Sequence, residues 1–295
     1  MMHAFHAEDG ARLAYQDEGE GLPLLALAGL TRDSRDFDYL ARCLHSGVRL
    51  IRLDSRGRGH SDHTGPATYS VAQEAKDAVT LLDHLQLDQV AIIGSSRGGL
   101  LAMVMAATHR QRLLGICFND VGPVLEREGL LRIGQYIGVT PAVDTLEEIA
   151  DRMPSAMPGF CHVSSMRWAE EAIRHFCQSG SHVGLTYDPA LRVAFDEAMS
   201  KPLPDAWPLF EACDGLPLAL IRGANSDVLS KLTALDMQRR RPDMDSVEVP
   251  DRGHIPFLDE VEAVICIERW LARIVERGHF NPVSLSTNRL RYEQN

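Results

Sequence analysis

The 295-residue chain lacks any C-x-x-C pair: its six cysteines, Cys43, Cys117, Cys161, Cys177, Cys213 and Cys266, are scattered. That pattern suggests neither a zinc ribbon nor a disulfide framework, and the thiols read as buried or semi-buried side chains in a reducing compartment. Long apolar runs are also missing. No stretch approaches the roughly 20 residues that span a bilayer, and Met1 to Gly10 carries charges and histidines where a secretory signal needs an apolar core. A soluble, cytoplasmic protein without a membrane partner is expected. Basic character is scarce too. A formal net charge of -11 lacks the cationic footprint with which nucleic-acid binders displace counterions. The one basic cluster, Arg239-Arg240-Arg241, precedes Pro242 and reads as a water-facing helix C-terminus, where cations complement the backbone dipole. No glycine-rich phosphate loop precedes a helix and no ligand cluster stands out, so nothing calls for a nucleotide, flavin or metal; His60 and His63 read as loop residues.

What is present is ample core material, with 45% hydrophobic and 24% charged residues. The chain opens as a hairpin, Met2 to Ala7 and Arg12 to Gln16 about a Glu8-Asp9-Gly10 turn. Leu22 to Ala28, Val48 to Leu53 and Val90 to Ile93 are then short, almost wholly apolar runs, as strands buried on both faces must be. Between them Phe37, Leu40, Ala41 and Leu44, and Val71, Ala75, Ala78, Val79, Leu82 and Leu85, recur at helical spacing. Leu100 to Thr108 suits a buried helix and Leu113 to Phe118 another inner strand. Strand-helix alternation of this kind predicts an α/β fold with a mostly parallel sheet, whose functional residues collect at the strand C-terminal ends.

From Gly122 to Cys213 the pattern loosens into short amphipathic pieces punctuated by prolines from Pro123 to Pro208, with no clean strand. Leu216 to Ile221 then resumes the buried-strand pattern, followed by a helix near Ser230 to Arg240, a strand at Ser246 to Val249 and a helix near Asp259 to Glu276. The expected organisation is a core of residues 1–121 and 214–277, a helical cap at 122–213 and a polar tail at 278–295.

The chemistry concentrates in Gly94-Ser95-Ser96-Arg97-Gly98, a G-x-S-x-G between an apolar strand and an apolar helix. A serine on such a sharp turn is held strained with its hydroxyl exposed, and the following helix start offers backbone N–H groups to a developing oxyanion. Ser96 is the expected nucleophile, and Ser95 would point elsewhere. Serine needs a base within hydrogen-bond reach, oriented by a third group. His254, in the loop Pro250-Asp251-Arg252-Gly253-His254-Ile255-Pro256 between the last strand and the last helix, is the expected base. Two carboxylates follow strand ends and compete for the third place: Asp227, after Leu218 to Gly223, is the preferred choice, and Asp120, after Phe118, is the alternative.

These segments, with Asp54-Ser55-Arg56-Gly57-Arg58-Gly59-His60-Ser61 and Arg222-Gly223-Ala224-Asn225-Ser226-Asp227, together resemble the α/β-hydrolase superfamily. Within it they are similar to the cap-bearing, cofactor-independent esterase and lactonase-like branch, over about Leu22 to Leu271. The resemblance implies the chain order Ser, Asp, His for the triad and an oxyanion hole made by the backbone N–H groups of Leu30 and Arg97. Many relatives carry His-Gly where this chain has Ala28-Gly29; a hole built from main-chain groups tolerates that change. The resemblance also implies hydrolysis of a small ester or lactone through an acyl-enzyme, with Tyr136, Trp168, Tyr187 and Trp207 as possible pocket residues under the cap. Ser96 argues against haloalkane dehalogenases and epoxide hydrolases, which need aspartate at this turn, and against dienelactone hydrolases, which use cysteine. Hydrolysis of a carbon–carbon bond in a vinylogous diketone, or a silent ligand-binding role, are the rival readings.

Overall fold

A computed structural model describes residues 1–157, 159–180 and 182–278; most of the expected C-terminal tail lies outside the described residues. The strands are β1 (Met2–His6), β2 (Arg12–Glu18), β3 (Leu22–Leu27), β4 (Val48–Leu53), β5 (Val90–Ser95), β6 (Leu113–Asn119), β7 (Phe176–Ser179), β8 (His182–Leu185), β9 (Leu218–Gly223) and β10 (Asp245–Val249). Eight of them form one sheet in the order β1-β2-β4-β3-β5-β6-β9-β10. The hairpin edge is antiparallel, and from β4 to β10 every pairing is parallel. Strands β3, β5, β6 and β9 are buried along their whole length, which a strand covered by helices on both faces requires.

The covering helices explain why those runs are uniformly apolar. On one face, α2 (Val71–His84) and α3 (Arg97–His109) bury Ala78, Leu81, Leu82, Leu101 and Met105 against Leu25, Ile92 and Phe118. On the other, α1 (Asp38–Cys43) and α10 (Val261–Glu276) set Leu40, Ile267 and Trp270 against Leu24, Ile93 and Cys117. The Trp270 indole is fully buried and donates to the Pro217 carbonyl (3.0 Å), so no polar group is stranded. Each fully buried Leu or Ile stabilises the fold by about 1.5–3 kcal/mol relative to an exposed one.

Between β6 and β9 the chain leaves the sheet. It forms α4 (Arg127–Tyr136), α5 (Leu146–Ala156), α6 (Ser165–His175), the β7–β8 hairpin and α7 (Leu191–Met199). Side-chain caps start two of these helices: Thr145 accepts from Glu148 N–H and Ser164 from Arg167 N–H. The hairpin corrects the expectation of an insertion without strands. The expected boundary at Cys213 also shifts, because α8 (Trp207–Glu211) packs Phe210 back into the main core.

Backbone hydrogen bonds are among the contacts that tie the insertion to the core. Thr186 O accepts from Gly59 N–H (3.0 Å) and Asp188 N–H donates to Gly57 O (2.7 Å), while Cys161 N–H donates to Asp251 O (2.9 Å). All six cysteines are free; Cys161 and Cys177 are exposed, contrary to expectation. Arg239 and Arg240 end α9 (Lys231–Arg240), but Arg241 is buried instead of facing water: its guanidinium donates to the carbonyls of Cys213 (2.8 Å) and Leu216 (2.7 Å). Among the described residues no helix is long and apolar enough to cross a membrane.

The β5–α3 junction is the tightest point of the core. A β-carbon on Gly98 would fall 1.9 Å from the Leu27 carbonyl oxygen, and one on Gly94 would fall 2.5 Å from Gly99 N. Both obstacles are backbone and cannot rotate away. Gly98→Ala is therefore expected to destabilise the protein by about 1–3 kcal/mol or more, read from the urea midpoint of purified protein; an unchanged midpoint would contradict this packing.

Candidate active site

The β5–α3 turn holds Ser96 at φ +50°, ψ −116°, a left-handed conformation that costs a non-glycine residue about 1–3 kcal/mol. Tight neighbours enforce it: Ser96 N–H donates to Asn119 O (2.9 Å) and Gly99 N–H to Ser96 O (2.9 Å). Ser95, buried, accepts instead from Asn119 Nδ2 (3.0 Å), so its hydroxyl faces away from the turn's mouth.

His254 approaches Ser96 from the β10–α10 loop. Its Nε2 stands 2.8 Å from Ser96 Oγ and its Nδ1 2.7 Å from Asp120 Oδ2. A carboxylate can only accept, so the proton between them belongs on Nδ1, and Nε2 faces the serine hydroxyl as an acceptor. This arrangement fits proton removal from Ser96 by the imidazole.

Asp120, and not Asp227, is thus the carboxylate that the fold brings to His254, which corrects the sequence-based preference. Asp120 follows β6 at φ +56°, and its side chain is fully buried. It also accepts from Gly223 N–H (2.9 Å) and from Ser226 Oγ (2.6 Å), so β9 and its following loop position it. Asp227 lies one residue past that anchor. It is a quarter exposed and pairs with Arg132 of α4 (3.0 Å). Both choices satisfy the chain order Ser, Asp, His, so order could not separate them.

The loop after β3 lies beside the serine: a β-carbon on Gly29 would sit 3.7 Å from Ser96 Cβ. Leu30 belongs to this loop, and Arg97 N–H is at the first position of α3, where a helix leaves its N–H groups without intrahelical acceptors. Two side chains that the sequence reading passed over connect these segments. Arg58, fully buried, donates from Nε to the Leu30 carbonyl (2.8 Å) and from Nη1 to Glu74 (3.0 Å). Glu74, on α2, also accepts from Arg97 Nε (3.0 Å) and Nη2 (2.8 Å). Burial would raise the Glu74 carboxyl's pKa, but the charges and hydrogen bonds of the two arginines outweigh it and hold the group below its ordinary value.

Above the site, an open cavity of about 350 Å³ lies between the sheet's loops and the insertion, and His254 lines it. Tyr136 and Tyr187 are in its wall; the Tyr187 hydroxyl accepts from Gly138 N–H (3.0 Å). The other two aromatic candidates are elsewhere. Trp168 packs into the insertion's own core against Ile149, Met153 and Ala172. Trp207 packs edge-on to Phe210 under the Arg240 guanidinium, on the main core.

Residues 23–261 match the family described as alpha/beta hydrolase fold. A 3-hydroxybutyrate-oligomer hydrolase of Cupriavidus necator is 36% identical over 267 residues, which cover 86% of this chain and 91% of that protein. Among solved structures, an alpha/beta hydrolase from Novosphingobium aromaticivorans aligns at 34% identity with a TM-score of 0.85, covering 92% of this chain and 98% of its own. A thermophilic esterase from Thermogutta terrifontis shares the fold at 24% identity and a TM-score of 0.72, over 93% of this chain and 99% of its own. The chain belongs to the α/β-hydrolase family. The Cupriavidus necator and Novosphingobium aromaticivorans proteins are both described as hydrolases.

Asp120→Asn is expected to lower kcat for ester hydrolysis by about 10⁴-fold, as loss of the orienting carboxylate does in serine triads, whereas Asp227→Asn should change it by less than about threefold. Parallel kinetics of the two variants on an aryl ester would decide, and a larger loss in Asp227→Asn would reverse the assignment.

Proposed function

We propose that this protein is a serine esterase that cleaves short esters of hydroxy acids, oligomers of 3-hydroxybutyrate among them, through an acyl-enzyme. The observation that carries the reading is the continuous hydrogen-bonded chain Ser96–His254–Asp120 at the wall of a cavity under the insertion. Its extension to hydroxy-acid oligomers is supported by the similarity to the Cupriavidus necator enzyme over most of both chains.

In this mechanism His254 Nε2 takes the Ser96 proton as Oγ attacks the ester carbonyl. Asp120 holds the imidazole in its Nδ1–H tautomer and stabilises the imidazolium as it forms. The tetrahedral oxyanion is bound by the N–H groups of Leu30 and Arg97, each donor worth about 10²–10³ in rate in comparable holes. The ion cluster Arg58–Glu74–Arg97 supports this hole, since it fixes the Leu30 carbonyl and the Arg97 side chain together. It also supplies the loop support that the Ala28-Gly29 sequence leaves open. Imidazolium then protonates the leaving alcohol, and water attacks the acyl-enzyme with His254 again as base. The insertion, from α4 to α7, acts as the cap that shields these steps from bulk water.

Two measurements test the reading together. Wild-type protein is expected to hydrolyse the 3-hydroxybutyrate dimer to monomer by liquid chromatography and to be labelled by a fluorophosphonate on the peptide containing Ser96. Ser96→Ala should lose both, with a fall in kcat of about 10⁴–10⁶. Near-normal hydrolysis by Ser96→Ala would overturn the mechanism.

A further inference from the structure

The wall of the cavity has an unusual charge balance. In a protein of net charge -11, its lining contains Arg32 and Arg152 and no aspartate or glutamate. Arg32 comes from the loop after β3, and Arg152 faces it from α5 of the insertion.

Arg32 is placed for work at the reacting centre. Its N–H donates to the Gly29 carbonyl (3.2 Å), and a β-carbon on Gly29 would lie 3.5 Å from Arg32 Cγ and 3.7 Å from Ser96 Cβ. The arginine stem and the nucleophile therefore flank the same glycine. Although only 20% of its side chain is exposed, its guanidinium makes no hydrogen bond among the described residues, and its one ion pair, with Asp36, is loose at 3.8 Å. A covered guanidinium with free donors is costly unless a ligand completes it.

Its neighbouring acids, Asp36 and Glu171, border a smaller recess with Arg32 and do not line the cavity. Asp36 is largely withdrawn from water, and burial pushes its carboxyl up to about 7 despite Arg32, so it is neutral for much of the time near neutral pH. Burial likewise raises the Glu171 carboxyl, and it drives His175, in the cavity wall, well below its ordinary value, so the imidazole is uncharged. Arg152 has no ion pair among the described residues and is exposed toward solvent. The cavity wall next to the catalytic histidine thus carries two arginines and no carboxylate, an arrangement that favours anions.

We propose that Arg32, assisted by Arg152, binds a free carboxylate on the substrate, making the enzyme selective for ester acids over neutral esters. The inference rests on the ester-hydrolase reading for its catalytic consequence, but carboxylate binding itself does not need turnover. Arg32 donates to the carboxylate oxygens, and Arg152 contributes longer-range attraction at the cavity mouth.

The test compares the 3-hydroxybutyrate dimer with its methyl ester. Wild-type enzyme is expected to favour the acid in kcat/KM by about tenfold or more. Arg32→Gln should reduce that preference by about ten- to a hundredfold, chiefly through KM for the acid, with Arg32→Lys retaining part of it and Arg152→Gln giving a smaller loss. Equal use of acid and methyl ester by the wild type, or equal losses on both in Arg32→Gln, would overturn the proposal while leaving ester hydrolysis intact. Calorimetric binding of the acid dimer to Ser96→Ala, with and without Arg32→Gln, separates the two readings. Arg32-dependent binding without turnover in the wild type would sink the esterase reading and keep the carboxylate site, and absence of binding would sink the site. Thermal unfolding of each variant checks that the fold is kept, and a misfolded Arg32 variant leaves Arg152→Gln to decide by the same acid-to-ester ratio.

Discussion

The contact on which the site depends is the hydrogen bond between Asp120 and His254. A carboxylate with no exposed side-chain surface is expensive to keep charged unless donors replace its lost water. Here Gly223 N–H, the Ser226 hydroxyl and His254 Nδ1 do so. Those donors come from β9, its following loop and the β10–α10 loop, so the parallel order β6-β9-β10 is what lets them converge. The same convergence sets the imidazole against Ser96. The serine needs no donor from afar, because the glycine-tight turn between β5 and α3 presents it.

A second layer of charge surrounds this relay and divides into two parts. Arg58 and Arg97 share the buried carboxylate of Glu74, joining the loop after β3 to the start of α3. Breaking one member of such a cluster strands the others, which makes it a rigid joint more than a source of net stability. Arg32 is the reverse case. It stands at the end of the same loop, in the wall of the cavity, with burial raising the carboxyls of Asp36 and Glu171 beside it and no hydrogen bond from its guanidinium among the described residues. The loop after β3 thereby carries a carbonyl, that of Leu30, fixed by Arg58, and a cation, Arg32, whose donors are free among the described residues.

Much of this was legible in the sequence, for a physical reason. Buried parallel strands must be apolar throughout, so β3, β5, β6 and β9 announce themselves, and with them the strand ends at which Ser96 and Asp120 stand; His254 follows the partly exposed β10. The hairpin β7–β8 did not, because Phe176 to Ser179 is half-exposed and polar and has no alternation to reveal it. Asp120 and Asp227 both follow strand ends in the right order, and what separates them is a spatial fact: Ser226 and Gly223 turn toward β6 and leave Asp227 to Arg132. Arg58 and Glu74 were hidden for a similar reason. Their partners are 28 and 23 residues away, and a charged residue in a loop or on a helix reads as solvated until its burial is seen. Trp168 and Trp207 misled in the opposite direction, since a large aromatic serves a hydrophobic core as readily as a pocket.

The pairing of His254 Nδ1 with Asp120 can be observed directly through the imidazole proton. In ¹H NMR of the free protein at low temperature, a strongly downfield exchangeable resonance is expected, absent in His254→Ala and Asp120→Ala and retained in Asp227→Ala. A resonance that survives loss of Asp120 and vanishes with loss of Asp227 would contradict the account.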